Sequence, residues 1–324
     1  MADYSAGITA AGAALYYVGE TQKGQLPHIR KVSYFASDAF MALDPQTKRN
    51  LELTASMQSG HREGTLIEIL DHTQTAMGGR TLRRWLLRPL RNVAHIQKRQ
   101  AAVTAFVEAS TLRAQIRDVL QHVGDLERLA VKVATGRVTP RELVHLRRTL
   151  LLIPELQTIL TPEAAGPALH EIAALLERCQ PVVDLIGTAL VDEPPAQWKD
   201  GGFIRKGFDA ELDELRAIST SGKDWIARMQ QEEAEETGIT SLKVGYNKVF
   251  GNYLEVTNAH KDKVPEHYIR KQTLVNAERY ITPKLKEYEE QILTAQERIG
   301  LIESRLFQEV REQVAGEAEI IQRN

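Results

Sequence analysis

Apolar residues recur every three or four positions along most of the chain, and this spacing predicts α-helices. Between residues 77 and 106 it predicts two helices, separated by a break at Arg88-Pro89. Further amphipathic segments lie at residues 112–135, 140–160 and 167–191. Proline and glycine separate these segments, so this part of the chain is predicted to fold as a helical bundle with short connections.

The residues before the bundle mix helical and extended patterns. Residues 4–19 have helical spacing, and two short runs, "IRKVSYF" at 29–35 and "AFMAL" at 39–43, are typical of strands. Asp44 followed by Pro45 is a typical helix start, because aspartate caps free N–H groups and proline fits the first turn. A helix is therefore expected to run through "PQTKRNLELTAS".

Two longer apolar stripes predict long helices. The first covers residues 208–236 and weakens at residues 219–222, where Gly222 would cost about 1 kcal/mol in a helix interior and predicts a bend. Thr282-Pro283 repeats the start signal and opens a second stripe that extends to residue 321, roughly 60 Å of helix. A helix of that length with one apolar face needs a partner, so the two stripes predict a pair of packed stalk helices.

Between the stalk helices the pattern changes to alternation. Residues 241–261, "SLKVGYNKVFGNYLEVTNAHK", alternate β-branched and aromatic residues with polar ones around a turn that contains asparagine and glycine. This pattern predicts a β-hairpin. An isolated hairpin is marginally stable in water, so residues 264–282 are expected to cover it. The predicted fold class is mainly α, a helical bundle with two long stalk helices that carry a small α+β element.

Charge is balanced overall and uneven locally. The formal net charge is −2, so no global excess of positive charge indicates a nucleic-acid partner. Residues 241–282 hold seven basic and four acidic residues, whereas residues 283–324 hold six basic and nine acidic ones. A basic tip on an acidic helix suits a phosphate backbone, although ordinary solvated lysines would give the same count.

Candidate phosphate-binding residues in this tip are basic groups and uncharged hydrogen-bonding groups. They are Lys243, Asn247, Lys248, Arg270, Lys271, Thr273, Asn276 and Arg279. A second basic run, Arg80 to Arg99, contains no acid and is either another nucleic-acid surface or a set of partners for carboxylates of neighbouring helices. The carboxylates proposed as those partners are Asp71, Glu108, Asp125 and Glu127.

Other chemistry is not indicated. The single cysteine, Cys179, suggests a reducing compartment such as the cytosol, and no apolar run is long enough to span a membrane. The acidic run at residues 230–236 is typical of a solvated helix face rather than a metal site, because no histidine lies at ligand spacing beside it. No G-x-x-x-x-G-K-[ST] run occurs, so neither ATP binding nor catalysis is expected of these residues.

Several segments together resemble one family. "LKVGYNKVFGNYLEVT" and "IRKQTLVNAERYITPKLKEYE" are similar to the clamp of the MutS family of DNA mismatch-repair proteins. Three further segments resemble the core, or lever, domain of that family: "DGGFIRKGFDAELDELR", "GDLERLAVKVATGRVTPREL" and "TLIEILDHTQTAMGGRTLRRWLLRPL". The segment "AAGAALYYVGETQKGQLPHI" resembles the end of the family's connector domain. The resemblance covers essentially the whole chain in matching order.

The resemblance implies a domain plan and a role. Residues 1–40 would end the connector, 41–222 would form the first part of the lever, 223–282 the clamp, and 283–324 the returning lever helix. The clamp would touch the backbone of double-stranded DNA without sequence specificity. The full-length protein would be a cytoplasmic homodimer with an ATPase domain beyond Asn324, would use ATP and magnesium, and would work with a MutL-type partner.

Two features of the family are not matched. The family reads mismatches with a Phe-x-Glu element in an N-terminal domain, and the strings "FVE" at 106–108 and "FQE" at 307–309 fall instead within helical apolar patterns. The ATPase motif G-x-x-x-x-G-K-[ST] is also absent from these residues.

A different hypothesis is a helical scaffold that dimerises as a coiled coil and binds no DNA. Such a scaffold needs no basic tip, which distinguishes it from a clamp.

Overall fold

The structure is a computed structural model that describes residues 5–21, 32, 39–198, 201–220, 222–247, 249 and 251–324. Its α-helices are α1 (Ser5–Thr21), α2 (Pro45–Asn50), α3 (Leu66–Leu70), α4 (Ala76–Leu87), α5 (Val93–Glu108), α6 (Ser110–Gln121), α7 (Leu126–Ala134), α8 (Pro140–Leu150), α9 (Ile153–Leu160), α10 (Gly166–Leu175), α11 (Gln180–Ala189), α12 (Ala210–Thr220), α13 (Gly222–Thr237), α14 (Pro283–Gly316) and α15 (Ala318–Arg323). The strands are β1 (Lys243–Asn247), β2 (Gly251–Thr257), β3 (Ile269–Thr273) and β4 (Ala277–Ile281), and 3-10 helices lie at Glu163–Ala165 and Asn258–Lys263. The predicted fold class, mainly α with a small α+β part, is confirmed.

Residue contacts divide the chain into two compact units. The first comprises Met1–Pro194 and Glu309–Asn324, and the second comprises Pro195–Gln308. Helices dominate the first unit, whereas the sheet belongs entirely to the second.

The first unit is a helical bundle. Helix α8 packs against α7 and α11, and α15 packs against α7. The side chains at their contacts, such as Val133, Leu143, Leu146 and Ile186, are completely buried. The predicted break at Arg88-Pro89 is confirmed, because α4 ends at Leu87 and α5 begins at Val93. Each of the three predicted amphipathic segments that follow forms two helices.

The N-terminal predictions have mixed outcomes. Helix α1 forms, but the "IRKVSYF" run lies outside the described residues except for Val32. The "AFMAL" strand is wrong in length, because Phe40 makes only an isolated antiparallel bridge with Leu90. Asp44 caps α2 as predicted, with its Oδ1 accepting from the Thr47 N–H at 2.9 Å. Helix α2 ends at Asn50, earlier than the pattern predicted.

The second unit contains the predicted stalk pair. Ion pairs join Arg298 to Glu211 at 2.5 Å and Lys284 to Glu232 at 2.7 Å. The later residue of α14 pairs with the earlier residue of the outgoing helices, and the reverse holds for the other pair, so α14 runs antiparallel to α12 and α13. The Trp225 ring stacks on Tyr288 with centroids 3.6 Å apart. The packing of the two stalk helices is thus confirmed.

The ends of the stalk helices follow local sequence signals. Thr282 caps α14, since its Oγ1 accepts from the Leu285 N–H at 3.1 Å. Helix α12 ends at Thr220 and α13 begins at Gly222. Ser221 between them lies outside the described residues, so the bend stays a prediction.

A four-stranded antiparallel sheet lies between the stalk helices in sequence, with strand order β1-β2-β4-β3. One face buries Leu254, Val256 and Tyr280 in a cluster with Met229 of α13 and Leu285 of α14. Residues 264–282 were expected to cover the hairpin, and Tyr268 and Tyr280 of this segment do pack in the cluster that contains Leu254 and Val256. The segment also supplies β3 and β4, and β4 pairs with β2 and satisfies its backbone groups on that side.

Candidate nucleic-acid interface

The two turns of the sheet lie at opposite ends. The β1–β2 turn, residues 247–251, lies at one end, which we call the hairpin end. The β3–β4 turn, residues 273–277, lies at the other end beside residues 257–263, because Thr257 pairs with Ala277. The Asn258 N–H donates to the Asn276 carbonyl at 3.1 Å and its side-chain amide to the Val275 carbonyl at 3.0 Å. Residues 257–263 and 273–277 therefore form one surface, which we call the loop end.

The loop end lies at the tip of the stalk, and the hairpin end lies against its side. Lys263 of the loop end donates to the carbonyl of Gly238, one residue beyond the end of α13, at 3.3 Å. At the hairpin end the Asn252 N–H donates to the Glu289 carboxylate of α14. The backbone at the hairpin end thus meets an acidic side chain of the stalk.

The predicted phosphate-binding residues are divided between these ends. Thr273 and Asn276 lie exposed at the loop end. Asn247 lies at the hairpin end, where its Oδ1 accepts from the Val249 N–H at 2.8 Å and so builds the turn. Lys248 lies outside the described residues. Lys243 is exposed at the start of β1, on the loop-end side.

Lys271 owes its position to a bulge. The register of β3 against β4 shifts between Arg270 and Gln272, which leaves Lys271 as an extra residue. Bulges bend an edge strand and redirect a side chain. The Lys271 side chain is exposed.

Arg279 is held within the sheet. Its Nε donates to Glu255 Oε2 at 2.9 Å, and its Nη1 donates to Gln272 Oε1 at 2.9 Å. The guanidinium also lies 4.4 Å from the centre of the Tyr253 ring. With only 21% of the side chain exposed, the charge of Arg279 is compensated by Glu255 before any ligand arrives.

A buried carboxylate that sequence reasoning missed organises the neighbouring cations. Glu278 on β4 is 4% exposed at its side chain, and its Oε1 lies 2.8 Å from Lys261 Nζ and 3.3 Å from Arg270 Nη1. The Tyr280 hydroxyl donates to the other oxygen. The alternation of β4 places Glu278 and Tyr280 on one face, but no sequence signal reveals that Lys261 joins them.

Hydrogen bonds stabilise the charged form of this carboxylate. Those from Lys261, first, and from Tyr280 lower the pKa of Glu278 to about 2. Burial, together with the hydrogen bond to Glu278, raises the pKa of Tyr280 to about 12. At neutral pH the group therefore consists of one carboxylate, two cations and a neutral phenol.

Acidification is expected to destabilise the sheet between about pH 4.5 and pH 2. The folded pKa of Glu278 lies below its ordinary value of 4.5, so its contribution to stability is present above that value and is lost as the pH falls towards about 2. Hydrogen exchange of the β4 amides across this range measures the loss. Glu278→Gln should flatten this part of the pH dependence. An unchanged pH dependence in that variant would contradict the assignment.

Comparison with known proteins decides the family. The model of "MutS domain III" matches residues 46–324. A DNA mismatch repair protein MutS from Salinibacter ruber is 56% identical over 99% of this chain and 35% of its own length. MutS proteins from Pelotomaculum thermopropionicum and Symbiobacterium thermophilum are 45% and 47% identical over 99% of this chain and 37% of theirs. The chain belongs to the MutS family. It spans little more than a third of the length of these relatives.

The basic run Arg80 to Arg99 of this MutS-family chain is partly neutralised. Arg80 binds Asp125 through both terminal nitrogens at 2.6 and 2.8 Å and also binds Glu127, which confirms two of the predicted carboxylate partners. These contacts raise the pKa of Arg80 further above its ordinary range. Lys98 pairs with Glu171 at 2.5 Å. The run thus carries less free charge than the sequence indicates.

An apolar groove of about 510 Å³ lies beside this run. Its lining includes Trp85, Leu90, Val103, Phe106 and Ile172. The Arg99 guanidinium lies 3.7 Å from the centre of the Trp85 ring.

None of the described helices is long and apolar enough to cross a membrane.

Proposed function

We propose that this chain is the lever and clamp region of a MutS-type DNA mismatch-repair protein. In this proposal the clamp, residues 223–282, holds double-stranded DNA by its phosphate backbone and reads no sequence. Residues 1–40 end the connector, and residues 41–222 and 283–324 form the lever. The observation that carries the proposal is the loop end, where exposed cations and hydrogen-bonding groups meet at the tip of the stalk.

The chemistry of the loop end suits phosphate. Lys261 and Arg270 are 54% and 55% exposed although both contact Glu278, so their charged groups remain accessible. Thr273 and Asn276 add exposed uncharged groups from the adjoining turn. Contacts of this kind fix a protein on the duplex and carry no sequence information. We therefore place the DNA backbone against the loop end rather than against the hairpin end.

The remaining activities of a mismatch-repair protein belong, in this proposal, to the rest of the polypeptide. ATP and magnesium would bind an ATPase domain that supplies the G-x-x-x-x-G-K-[ST] motif missing from these 324 residues. A second subunit would close a ring around DNA, and a MutL-type protein would act as repair partner. The stalk would link the grip on DNA to the ATPase, and the present chain would perform no catalysis.

The purified chain is expected to bind duplex DNA weakly and without preference for a mismatch. About three phosphate contacts give a slope of log K against log salt of roughly −3 and a dissociation constant of about 10⁻⁴ to 10⁻⁶ M at physiological salt. Fluorescence anisotropy with a labelled duplex across a salt series measures both quantities. Arg270→Ala with Lys271→Ala should flatten the slope by up to about two and weaken all duplexes equally.

A matched pair of exposed arginines on α4 provides the control. Arg83→Ala with Arg84→Ala removes the same charge from the first unit and should leave duplex binding unchanged. If this control abolishes binding and the clamp variant does not, the DNA surface lies on the basic run. If the parent chain binds no duplex but self-associates, the coiled-coil scaffold is the better description.

A further inference from the structure

Lys261 and Arg270 come from different elements and meet at a single oxygen atom. Lys261 lies in the 3-10 helix Asn258–Lys263, and Arg270 lies on β3. Their nitrogens lie 2.8 and 3.3 Å from Glu278 Oε1, so the two nitrogens are within about 6 Å of each other. Two unpaired cations would repel at that separation. The carboxylate is what allows them to stay together.

The carboxylate lies behind the cations rather than beside them. Only 4% of the Glu278 side chain is exposed, against 54% for Lys261 and 55% for Arg270. Its second oxygen is occupied by the Tyr280 hydroxyl. A ligand that approaches this group from solvent therefore meets the two cationic side chains before it meets Glu278, and the charges of these three residues sum to +1.

Fixing long side chains in advance favours binding. An exposed lysine or arginine loses rotamer freedom when it grips a ligand, at a cost of roughly 0.5–1.5 kcal/mol per side chain. Lys261 and Arg270 already have restricted positions because both contact Glu278. An anion whose oxygens span a few ångströms, such as a phosphate diester, can accept from both.

We infer that Glu278 is a positioning residue that holds Lys261 and Arg270 side by side as a two-cation site for one backbone phosphate of DNA. The inference rests on the proposed function, since it specifies how the clamp grips the duplex. It also reverses the simplest electrostatic expectation. Removal of a negative charge normally strengthens DNA binding, whereas removal of this one should weaken it.

The test compares two carboxylates of the same sheet. Glu278→Gln and Glu255→Gln each remove one negative charge and keep the side-chain shape. Among the described residues, the ion pair of Glu255 is with Arg279, whose side chain is only 21% exposed. E255Q should therefore leave duplex binding unchanged or tighten it. E278Q should weaken binding roughly two- to tenfold in anisotropy titrations at fixed salt. Equal shifts in the two variants overturn the inference.

Single substitutions of the cations give a result that does not depend on the fold of E278Q. Lys261→Gln, Arg270→Gln and the double variant alter exposed side chains, and circular dichroism verifies that each variant folds. If the two cations grip one phosphate, either change alone causes most of the loss seen in the double variant. If the losses are additive in free energy, the cations act separately and the two-cation site is overturned.

The outcomes also separate this inference from the proposed function. A parent chain that binds duplex with the expected salt dependence, together with an E278Q variant that behaves like E255Q, leaves the clamp role intact and rejects the positioning role. A parent chain with no affinity for duplex at any salt concentration overturns both.

Discussion

Replacing Glu303 by alanine is expected to destabilise the second unit by roughly 3–5 kcal/mol, because the change leaves a charge without its buried partner. Glu303 lies on α14 and is 1% exposed. Its two oxygens accept from the Gly202 N–H at 3.0 and 2.8 Å, and its Oε1 pairs with Arg216 of α12. One carboxylate thus joins the segment before α12, α12 itself and α14.

The backbone around Gly202 makes this contact difficult to replace. Gly201 and Gly202 have φ values of +70° and +78°, a conformation that side chains disfavour. The two glycines bring the Gly202 N–H to the carboxylate, and a Cβ on Gly201 would lie 2.8 Å from Glu303 Oε2. Without Glu303 this N–H loses the acceptor that both carboxylate oxygens provide, so the contact between the segment before α12 and α14 is lost as well.

Urea unfolding followed by circular dichroism measures the effect of Glu303→Ala. The matched control is Glu211→Ala, which breaks the pair with Arg298 in the same two helices. Those side chains are 52% and 55% exposed, and an exposed pair contributes about 1 kcal/mol or less. A loss for Glu303→Ala no larger than that of the control would show that the buried network adds little to stability.

Most helices of this chain could be predicted because their stability depends on local spacing. Arg88-Pro89 ends one helix, Thr282-Pro283 begins another, and each signal acts within a few residues of the boundary. The packing of the stalk helices also followed from sequence, since an apolar stripe of that length requires a partner. These predictions needed no information about distant residues.

Strands β3 and β4 were missed because their sequences lack the alternation that marks a half-buried strand. In β3, "IRKQT", no residue is buried, as suits an edge strand with a bulge. In β4, "AERYI", both faces are largely buried, including the charged Glu278. Burial of that glutamate depends on Lys261, a residue 17 positions earlier, and local spacing carries no information about such a contact.

For the candidate site, too, the sequence could not reveal contacts between residues that are distant along the chain. Arg270, Lys271, Thr273 and Asn276 were selected as polar or basic groups near a hairpin, and the structure leaves their side chains exposed. Arg279 was selected by the same reasoning, although cross-strand pairing gives it Glu255 as a partner. Composition counts charges, whereas strand register decides which of them face a carboxylate. The two turns lie at opposite ends of the sheet because β4 pairs antiparallel with β2, which composition does not reveal either.

Replacing Leu254 by alanine is expected to destabilise the sheet by about 2–5 kcal/mol, the range for a large-to-small change in a core. Leu254 lies on the central strand β2 and is completely buried. It belongs to the cluster that contains Met229 of α13, Leu285 of α14 and Tyr280 of β4. The cavity would therefore open where the sheet packs against both stalk helices.

The loss should also appear in DNA binding, because the loop end depends on the same cluster. Tyr280 contacts both the cluster and Glu278, so loosening of the core releases the carboxylate that holds Lys261 and Arg270. Hydrogen exchange of β2 and β4 should accelerate in Leu254→Ala, and duplex affinity should fall at temperatures where this exchange is fast. Val249→Ala is the control, since Val249 is 89% exposed in the β1–β2 turn. If Leu254→Ala binds duplex like the control at such temperatures, the phosphate grip does not depend on the folded sheet, and the DNA surface must lie elsewhere on the chain.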